Sequence, residues 1–353
     1  VDPIAIVTPF DPQTRAGFSH LLVSEEIRSV FEKEGKTTKI YHYESKKIEE
    51  PNILFVGTIT ASTLAYLSRF LPEKKIVFYA TVEGFPIVNP MSLEREVARK
   101  IKVVAVSDYV KLCIETAMLQ CDGVVHHGID MGDASYDQRF HDWISDSWVK
   151  KDDVVLCVSG NMPRKGLDKF MAACSVVRGA RSGTKFILHT GAGSTDIDGL
   201  ANTLGLDKDC FWFTNAFGVL EQPKMNALYK LAKAYVQPSY CEGFGLPMIE
   251  ALRFQVPVVA VDAPPFNEII SKGRSGTLIP CTDVKQLVWG NQISLNMHQY
   301  RVHDLAGAIV NTLRAGINLK MKKAIASERE RFGKHRLYPR LLPYFEEPPA
   351  EGG

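Results

Sequence analysis

Long apolar runs are missing from this chain of 353 residues. No stretch reaches the roughly 20 residues that a membrane-crossing helix needs. An excess of one charge is missing too. Lys and Arg number 42 against 40 Asp and Glu, a net of +2, which is too balanced to point to nucleic acid. Cysteine pairing motifs are absent. The seven cysteines, at 113, 121, 157, 174, 210, 241 and 281, include no C-x-x-C. An odd, unpatterned set predicts reduced thiols and a cytoplasmic setting, with many of them serving as small core residues. The opening Val1-Asp-Pro-Ile-Ala-Ile-Val-Thr8 carries no basic segment, so a secretory leader is not expected. No D-x-D pair stands in a metal-binding context, and His126-His127 are adjacent, a spacing that usually turns the two rings apart. No metal ligand set is expected. Internal repeats are absent.

What is present is a regular alternation. Strands are predicted at Ile4–Thr8, Thr38–His42, Asn52–Val56, Lys75–Tyr79 and Lys102–Val106. Helices fall between them over Phe18–Lys33, Ala61–Phe70 and Pro90–Lys100, the first with Val23, Ile27, Val30 and Phe31 on one face. A second series runs through Asp153–Val158, Lys185–His189, Cys210–Thr214, Ala234–Gln237, Val256–Val261 and Gly276–Ile279. Strands alternating with helices make parallel sheets, and the length suits two domains. The fold class is therefore α/β, with doubly wound parallel sheets in two domains. Residues 1–130 form the first domain. Residues 131–152 are a polar, acidic connection, 153–330 the second domain, and 331–353 a basic, aromatic and then Pro-rich tail.

The richest stretch is Ser239-Tyr-Cys-Glu-Gly-Phe-Gly-Leu-Pro-Met-Ile-Glu250. It reads as strand, glycine turn and helix. Gly243 and Gly245 permit tight turning, and Pro247 suits a first helical turn. Such a turn aims backbone N–H groups at one point, where a phosphate is attracted. Glu242 then lies on the loop, near whatever the phosphate carries. Glu250 is expected in the first helical turn, accepting hydrogen bonds from hydroxyls such as those of a ribose. Glu242 and Glu250, with Gly243-Phe244-Gly245-Leu246-Pro247 between them, resemble the E-x7-E signature of retaining glycosyltransferases of the two-Rossmann-domain type (GT-B), family 4 in particular. The resemblance implies that Glu242 lies by a donor sugar, that Glu250 binds the nucleotide ribose, and that Gly243, Phe244, Gly245 and Leu246 border the donor.

A second motif is Ser159-Gly-Asn-Met-Pro-Arg164-Lys165-Gly166, after a strand and before a helix. Adjacent cations suit a diphosphate, Lys as a point charge and Arg as a fork. A solvated surface pair is the plainer reading, but cations at a helix start oppose its dipole. The resemblance makes Arg164 and Lys165 the groups that stabilise the departing nucleoside diphosphate. Many relatives carry a further Arg near Gly160 or Asn161, and this chain has none. The G-x-G of Leu188-His-Thr-Gly-Ala-Gly193 lacks a third glycine, which argues against a nicotinamide cofactor. By resemblance, Phe217 and Gly218 belong to the loop against which the nucleobase rests. Gly17 lets backbone approach a ligand, or simply opens a helix. Glu83 stands where the family has a residue near the reacting sugar, and is equally a sugar or acceptor contact or a turn acid. His126-His127-Gly128-Ile129-Asp130 resembles the segment ahead of the interdomain connection, with a structural or hinge role. Glu268 is structural or near the donor. Gln255 replaces a usual Gly ahead of a strand, and Tyr338–Tyr344 resembles the helix that crosses back to the first domain.

The implied activity is transfer of a hexose from a nucleoside-diphosphate sugar to an acceptor hydroxyl on a glycan, glycolipid or glycoprotein, with retention and without cofactor or metal. The implied partners are the nucleotide sugar and a carbohydrate-bearing acceptor, not nucleic acid; peripheral contact with the inner face of a membrane is left open. Two other readings stay open: a GT-B epimerase or phosphorylase, and a catalytically silent sugar-nucleotide-binding protein.

Overall fold

The computed structural model describes residues 3–9, 18–88, 93–132, 134–214 and 220–346. In chain order the strands are β1 (Ile4–Thr8), β2 (Thr38–His42), β3 (Asn52–Thr58), β4 (Lys75–Thr81), β5 (Phe85–Pro86), β6 (Lys102–Ala105), β7 (Gly123–Val124), β8 (Asp153–Val158), β9 (Thr184–His189), β10 (Phe211–Phe213), β11 (Ala234–Gln237), β12 (Val258–Val261), β13 (Gly276–Ile279), β14 (Asp283–Trp289) and β15 (Ile293–Gln299). The helices are α1 (Phe18–Lys33), α2 (Ala61–Ser68), α3 (Leu93–Lys100), α4 (Asp108–Thr116), α5 (Gln138–Ile144), α6 (Leu167–Ala180), α7 (Ile197–Thr203), α8 (Gln222–Leu231), α9 (Leu246–Arg253), α10 (Phe266–Ile269), α11 (Val302–Ala315), α12 (Leu319–Arg331) and α13 (Lys334–Leu337). No helix among the described residues is long and apolar enough to cross a membrane.

Two six-stranded sheets organise the chain, in the orders β2-β1-β3-β4-β6-β7 and β10-β9-β8-β11-β12-β13. Every pairing within them is parallel. Their inner strands are continuous apolar runs, such as Ile4-Ala-Ile-Val7 and Val154-Val-Leu-Cys157, buried on both faces, as a sheet covered by helices on each side requires. In the second sheet the strand order reverses between β8 and β11. Ligands of open parallel sheets settle outside the carboxyl ends of strands at such a reversal. The segments leaving β8 and β11 there carry Arg164, Lys165 and Glu242.

A third, antiparallel sheet was not foreseen from the sequence. Strands β14 and β15 form a hairpin, and β15 also pairs with β5 of the first half of the chain. Its turn is legible in retrospect. Gly290 and Asn291 both take positive φ, 57° and 55°, as hairpin turns favour. The alternation Ile293-Ser-Leu-Asn-Met297 buries every second residue. The stretch read as a connection, 131–152, contains α5 and a π-helical turn at Ser145–Val149. Gln255 holds φ +60° at the end of α9, a conformation that glycine adopts more cheaply.

After α12 the chain returns to the first sheet. Tyr338 donates its hydroxyl to Gly128 O at 2.8 Å, Lys75 Nζ donates to Phe345 O at 3.1 Å, and Lys334 pairs with Glu26. His126 and His127 separate in role. His127 is buried, its Nδ1 3.1 Å from the Tyr79 hydroxyl, which donates to Val125 O at 2.8 Å. Burial, with help from His20 and His126, pushes its pKa down to about 3. An unfolded histidine titrates near 6.5, so below that pH the unfolded chain binds the proton first and stability falls until about pH 3. Replacing the ring removes this slope. Urea midpoints measured from pH 7 to pH 4 should fall less steeply in His127→Gln than in the wild type, the difference reaching on the order of a few kcal/mol.

Candidate functional site

Four charged side chains meet at the reversal of the second sheet. Pro163–Lys165 is a short 3-10 turn after β8, followed by Gly166 at φ +63°. A Cβ on Gly166 would fall 2.3 Å from Pro238 O, so glycine there lets the basic turn press against the end of β11. Tyr240 N donates to Arg164 O at 2.9 Å and ties the two loops together. Glu242, only 6% exposed, then lies directly over the cations. Its Oε1 accepts from Lys165 Nζ at 2.6 Å, Ser239 Oγ at 2.7 Å and Gln237 Nε2 at 3.1 Å. Its Oε2 accepts from Lys165 Nζ at 2.8 Å and Arg164 Nη1 at 3.2 Å. Gln237 is itself fixed by the Tyr235 hydroxyl at 2.7 Å. The fourth charge comes from the other half of the chain: Glu83, just past β4, accepts from Arg164 Nη2 at 2.5 Å.

Two cations and two carboxylates thus cancel. Burial alone would push the Glu242 carboxyl up, but Lys165 and Arg164 overrule it and hold its pKa at about 2. Arg164 is kept charged by Glu83 and Glu242 against its own burial. Burial, then Arg164, pulls Lys165 the other way, down, with Glu242 opposing. Lys165 Nζ nonetheless engages both Glu242 oxygens, at 2.6 and 2.8 Å, the geometry of an ion pair. The two cations that the sequence pairs after β8 are therefore neutralised by two carboxylates of the chain itself.

The glycine turn differs from expectation in three respects. First, α9 starts at Leu246, with Gly245 at φ +105° before it and Pro247 in its first turn. Glu250 consequently lies one turn further in, not in the first turn. Its Oε2 accepts from the Tyr229 hydroxyl at 2.6 Å. Second, the Phe244 side chain turns inward: its ring is buried against His127 at 5.1 Å and Phe332 at 5.9 Å between centroids. Third, Gly243 needs to be glycine for packing, because a Cβ would meet Val82 O at 2.8 Å. Gly17, Phe217 and Gly218 lie outside the described residues.

Asn161 staples two loops. Its side chain donates to Thr195 O at 2.8 Å and accepts from Thr195 N at 2.9 Å. Asp108, His126 and Glu268 bring ligand atoms within 4.8 Å of one another. Both Glu268 oxygens, however, accept backbone N–H groups, from Asp108 and Tyr109 at 2.8 Å each. That place is the positive end of α4, which suits a carboxylate better than a cation. Ser107, whose hydroxyl donates to Gly243 O at 2.8 Å, makes a contact that the sequence does not announce. No local signal distinguishes it.

Residues 142–302 match the family model described as Glycosyl transferases group 1. Over 332 residues, 91% of this chain and 95% of the relative, the sequence is 23% identical to an uncharacterized glycosyltransferase of Sulfolobus islandicus rod-shaped virus 1. Over 165 residues it is 26% identical to a lipopolysaccharide core biosynthesis mannosyltransferase of Rhizobium leguminosarum bv. viciae; that match spans 46% of this chain and about half of the relative, 47%. The crystal structure of HepE from Anabaena in complex with UDP-glucose superposes with a TM-score of 0.69, 16% identity and coverage of 98% of this chain and 99% of that one. This likeness shows the fold, two Rossmann-like domains facing across a cleft.

The ion cluster makes a thermodynamic prediction independent of any substrate. Removing one partner leaves a buried charge uncompensated, at a cost of about 3–5 kcal/mol, whereas neutral replacement of a whole pair costs far less. Chemical denaturation should find Lys165→Met strongly destabilised and Lys165→Met/Glu242→Gln largely recovered. Additive losses in the double-mutant cycle would mean that the two groups do not act as a pair.

Proposed function

We propose, for a chain that is a GT-B glycosyltransferase of the family 4 kind, that it transfers a hexose from a nucleoside-diphosphate sugar to an acceptor hydroxyl on a glycan, glycolipid or glycoprotein. In this reading transfer proceeds with retention at the anomeric carbon and without a metal ion. The observation that carries it is the convergence of Lys165, Arg164 and Glu242 at the carboxyl ends of β8 and β11, beside the start of α9. The mannosyltransferase relative and the UDP-glucose complex of HepE support a hexose and a nucleotide donor respectively.

The donor diphosphate exchanges partners with the cluster. Lys165 and Arg164 turn from carboxylate to phosphate oxygens, the backbone N–H of Leu246 at the start of α9 adds the helix start, and Glu242 turns to the sugar hydroxyls. The bond from the anomeric carbon to the phosphate oxygen breaks, and its electron pair stays with the diphosphate. The acceptor oxygen bonds to that carbon on the same face and passes its proton to the departing phosphate oxygen, so no protein base is called for. Stabilising the developing charge on the diphosphate is then the main catalytic effect. Glu83, already bound to Arg164, stands by the sugar and the acceptor. Glu250 keeps Tyr229 on one oxygen and offers the other to the ribose. Asn161 in place of a third cation favours one second reading, a silent binding protein, in which donors bind without hydrolysis or transfer.

A thermal-shift panel of UDP-, GDP- and ADP-sugars identifies the donor, because a ligand specific for the folded state raises Tm. With that donor, Lys165→Ala should lower kcat about 10²–10³-fold, the loss typical of one preorganised donor to a developing oxyanion. Wild-type turnover should persist in excess EDTA. Restoration by Mg²⁺ or Mn²⁺ of activity lost in EDTA would reject the metal-free reading.

The ribose role of Glu250 separates in the kinetics. A charge-assisted hydrogen bond made equally in ground and transition states is worth about 1.5–3 kcal/mol and appears in KM alone. Glu250→Ala should raise donor KM roughly 10–100-fold by that conversion, with kcat nearly unchanged. A collapse of kcat at saturating donor would place Glu250 on the reacting sugar instead.

A further inference from the structure

The glycine turn that carries Glu242 is held from outside its own domain. Ser107 is fully buried and caps α4, accepting from Val110 N at 3.0 Å. The same hydroxyl donates its proton across the domain boundary to Gly243 O at 2.8 Å. On the other side of this contact, Val82 leaves no room for a Cβ at position 243. The next residue, Phe244, buries its ring against His127 of the first domain and Phe332. Two successive residues of the donor turn are thus fixed by groups that belong to the acceptor side.

The reverse contact lies at the next two residues, in the same first turn of α4. Glu268, on α10 of the donor domain, places both carboxylate oxygens on the first backbone N–H groups of α4, Asp108 N and Tyr109 N, at 2.8 Å each. A helix start has N–H groups without intrahelical partners, and its dipole favours a negative charge. Here one domain supplies the anion that the helix of the other lacks. Opening the cleft would strip Glu268 of both N–H donors and Gly243 O of its hydroxyl at once, and each group must then find water.

The geometry points to Ser107 and Glu268 as an interdomain latch, in which the N-terminus of α4 holds the two domains together and sets the position of the Glu242 turn. Both are positioning residues; neither touches the reacting atoms. The role in transfer rests on the glycosyltransferase reading, whereas the closed state does not. The latch accounts for two features that a donor site alone leaves unexplained: the burial of Phe244 away from the ligand side, and the occupation of an α4 start by a carboxylate 159 residues away in sequence. It also makes the catalytic turn conditional on closure, because Gly243 and Phe244 lose their outside supports when the domains part.

Small-angle X-ray scattering and donor kinetics test this together. Three variants are compared with the wild type, all without added ligand in the scattering arm. Ser107→Ala removes the bond to Gly243 O together with the helix cap. Glu268→Gln leaves the Ser107 cap intact and weakens only the bidentate contact. Ser107→Thr keeps both hydroxyl functions and serves as the rescue. The expected result is a ligand-free wild type whose scattering fits the closed structure, a larger radius of gyration in Ser107→Ala and Glu268→Gln, and a return to the wild-type value in Ser107→Thr. In the kinetic arm, hydrolysis of the donor chosen by the thermal-shift panel should lose about tenfold in kcat/KM in the first two variants, the equivalent of one lost hydrogen bond. Ser107→Thr should stay within about twofold of wild type. Unchanged scattering in both Ser107→Ala and Glu268→Gln overturns the latch, whatever the assay shows. So does a fall in Tm with kcat/KM unchanged, the mark of a cap that serves stability alone. Failure of every donor to react with the wild type counts against the glycosyltransferase reading and leaves the scattering arm to decide the latch.

Discussion

The structure turns on the cost of burying charge. Glu242 is nearly inaccessible, and a lone carboxylate there would be expelled or protonated. It stays ionised because Lys165 and Arg164 reach it from the neighbouring loop and Ser239 and Gln237 fill its remaining sites. Arg164 in turn draws in Glu83 from the other domain. The result is a neutral group of four at the domain seam. Such a group is weak evidence for stability in itself, since desolvation offsets much of the attraction. Its consequence is positional: two cations and two carboxylates are desolvated together and held at one point of the seam.

That placement requires the backbone to come very close. The 3-10 turn of residues 163–165 touches the end of β11 only because Gly166 has no side chain, and the Glu242 turn touches Val82 only because residue 243 has none. The cross-domain contacts extend the same economy. Strand β15 pairs with β5 next to Glu83, and Gly84 lies against the backbone of Ser294 and Leu295. His298 N and Tyr300 Oη, just beyond, bond to the carbonyls of Tyr240 and Pro238 in the loop that leads to Glu242. The hairpin that carries β15 therefore braces both sides of the charge cluster, while the return of α13 to Gly128 and Ile129 closes the opposite end.

Most of the parallel strands could be read from sequence because each is a short apolar run whose burial on both faces demands one pattern. Ile4–Thr8, Asp153–Val158 and Ala234–Gln237 are such runs, and each forms where expected. Strands β5 and β7 could not be read, because two residues carry no period. The β14–β15 hairpin could have been, from its alternation and its Gly-Asn turn. The site divided along similar lines. Glu242, Glu250, Arg164 and Lys165 stand in motifs visible in the sequence, and the structure brings Glu242, Arg164 and Lys165 together. The inward turn of the Phe244 ring and the part played by Ser107 were not, because the groups that decide them lie on another domain.

What the sequence alone determined is therefore local and periodic: two alternating α/β series, a strand–turn–helix rich in glycine, and a basic pair placed after a strand. Hydrophobic period, glycine and proline act within a few residues, so they survive without coordinates. What only the tertiary structure decided is which charges meet and which backbone groups are shared. Arg164 finds Glu83 across 81 positions, Ser107 finds Gly243 across 136, and Glu268 finds Tyr109 across 159. A hydrogen bond or ion pair depends on a separation of about 3 Å, and that distance is set by the packing of two sheets against each other rather than by any spacing along the chain.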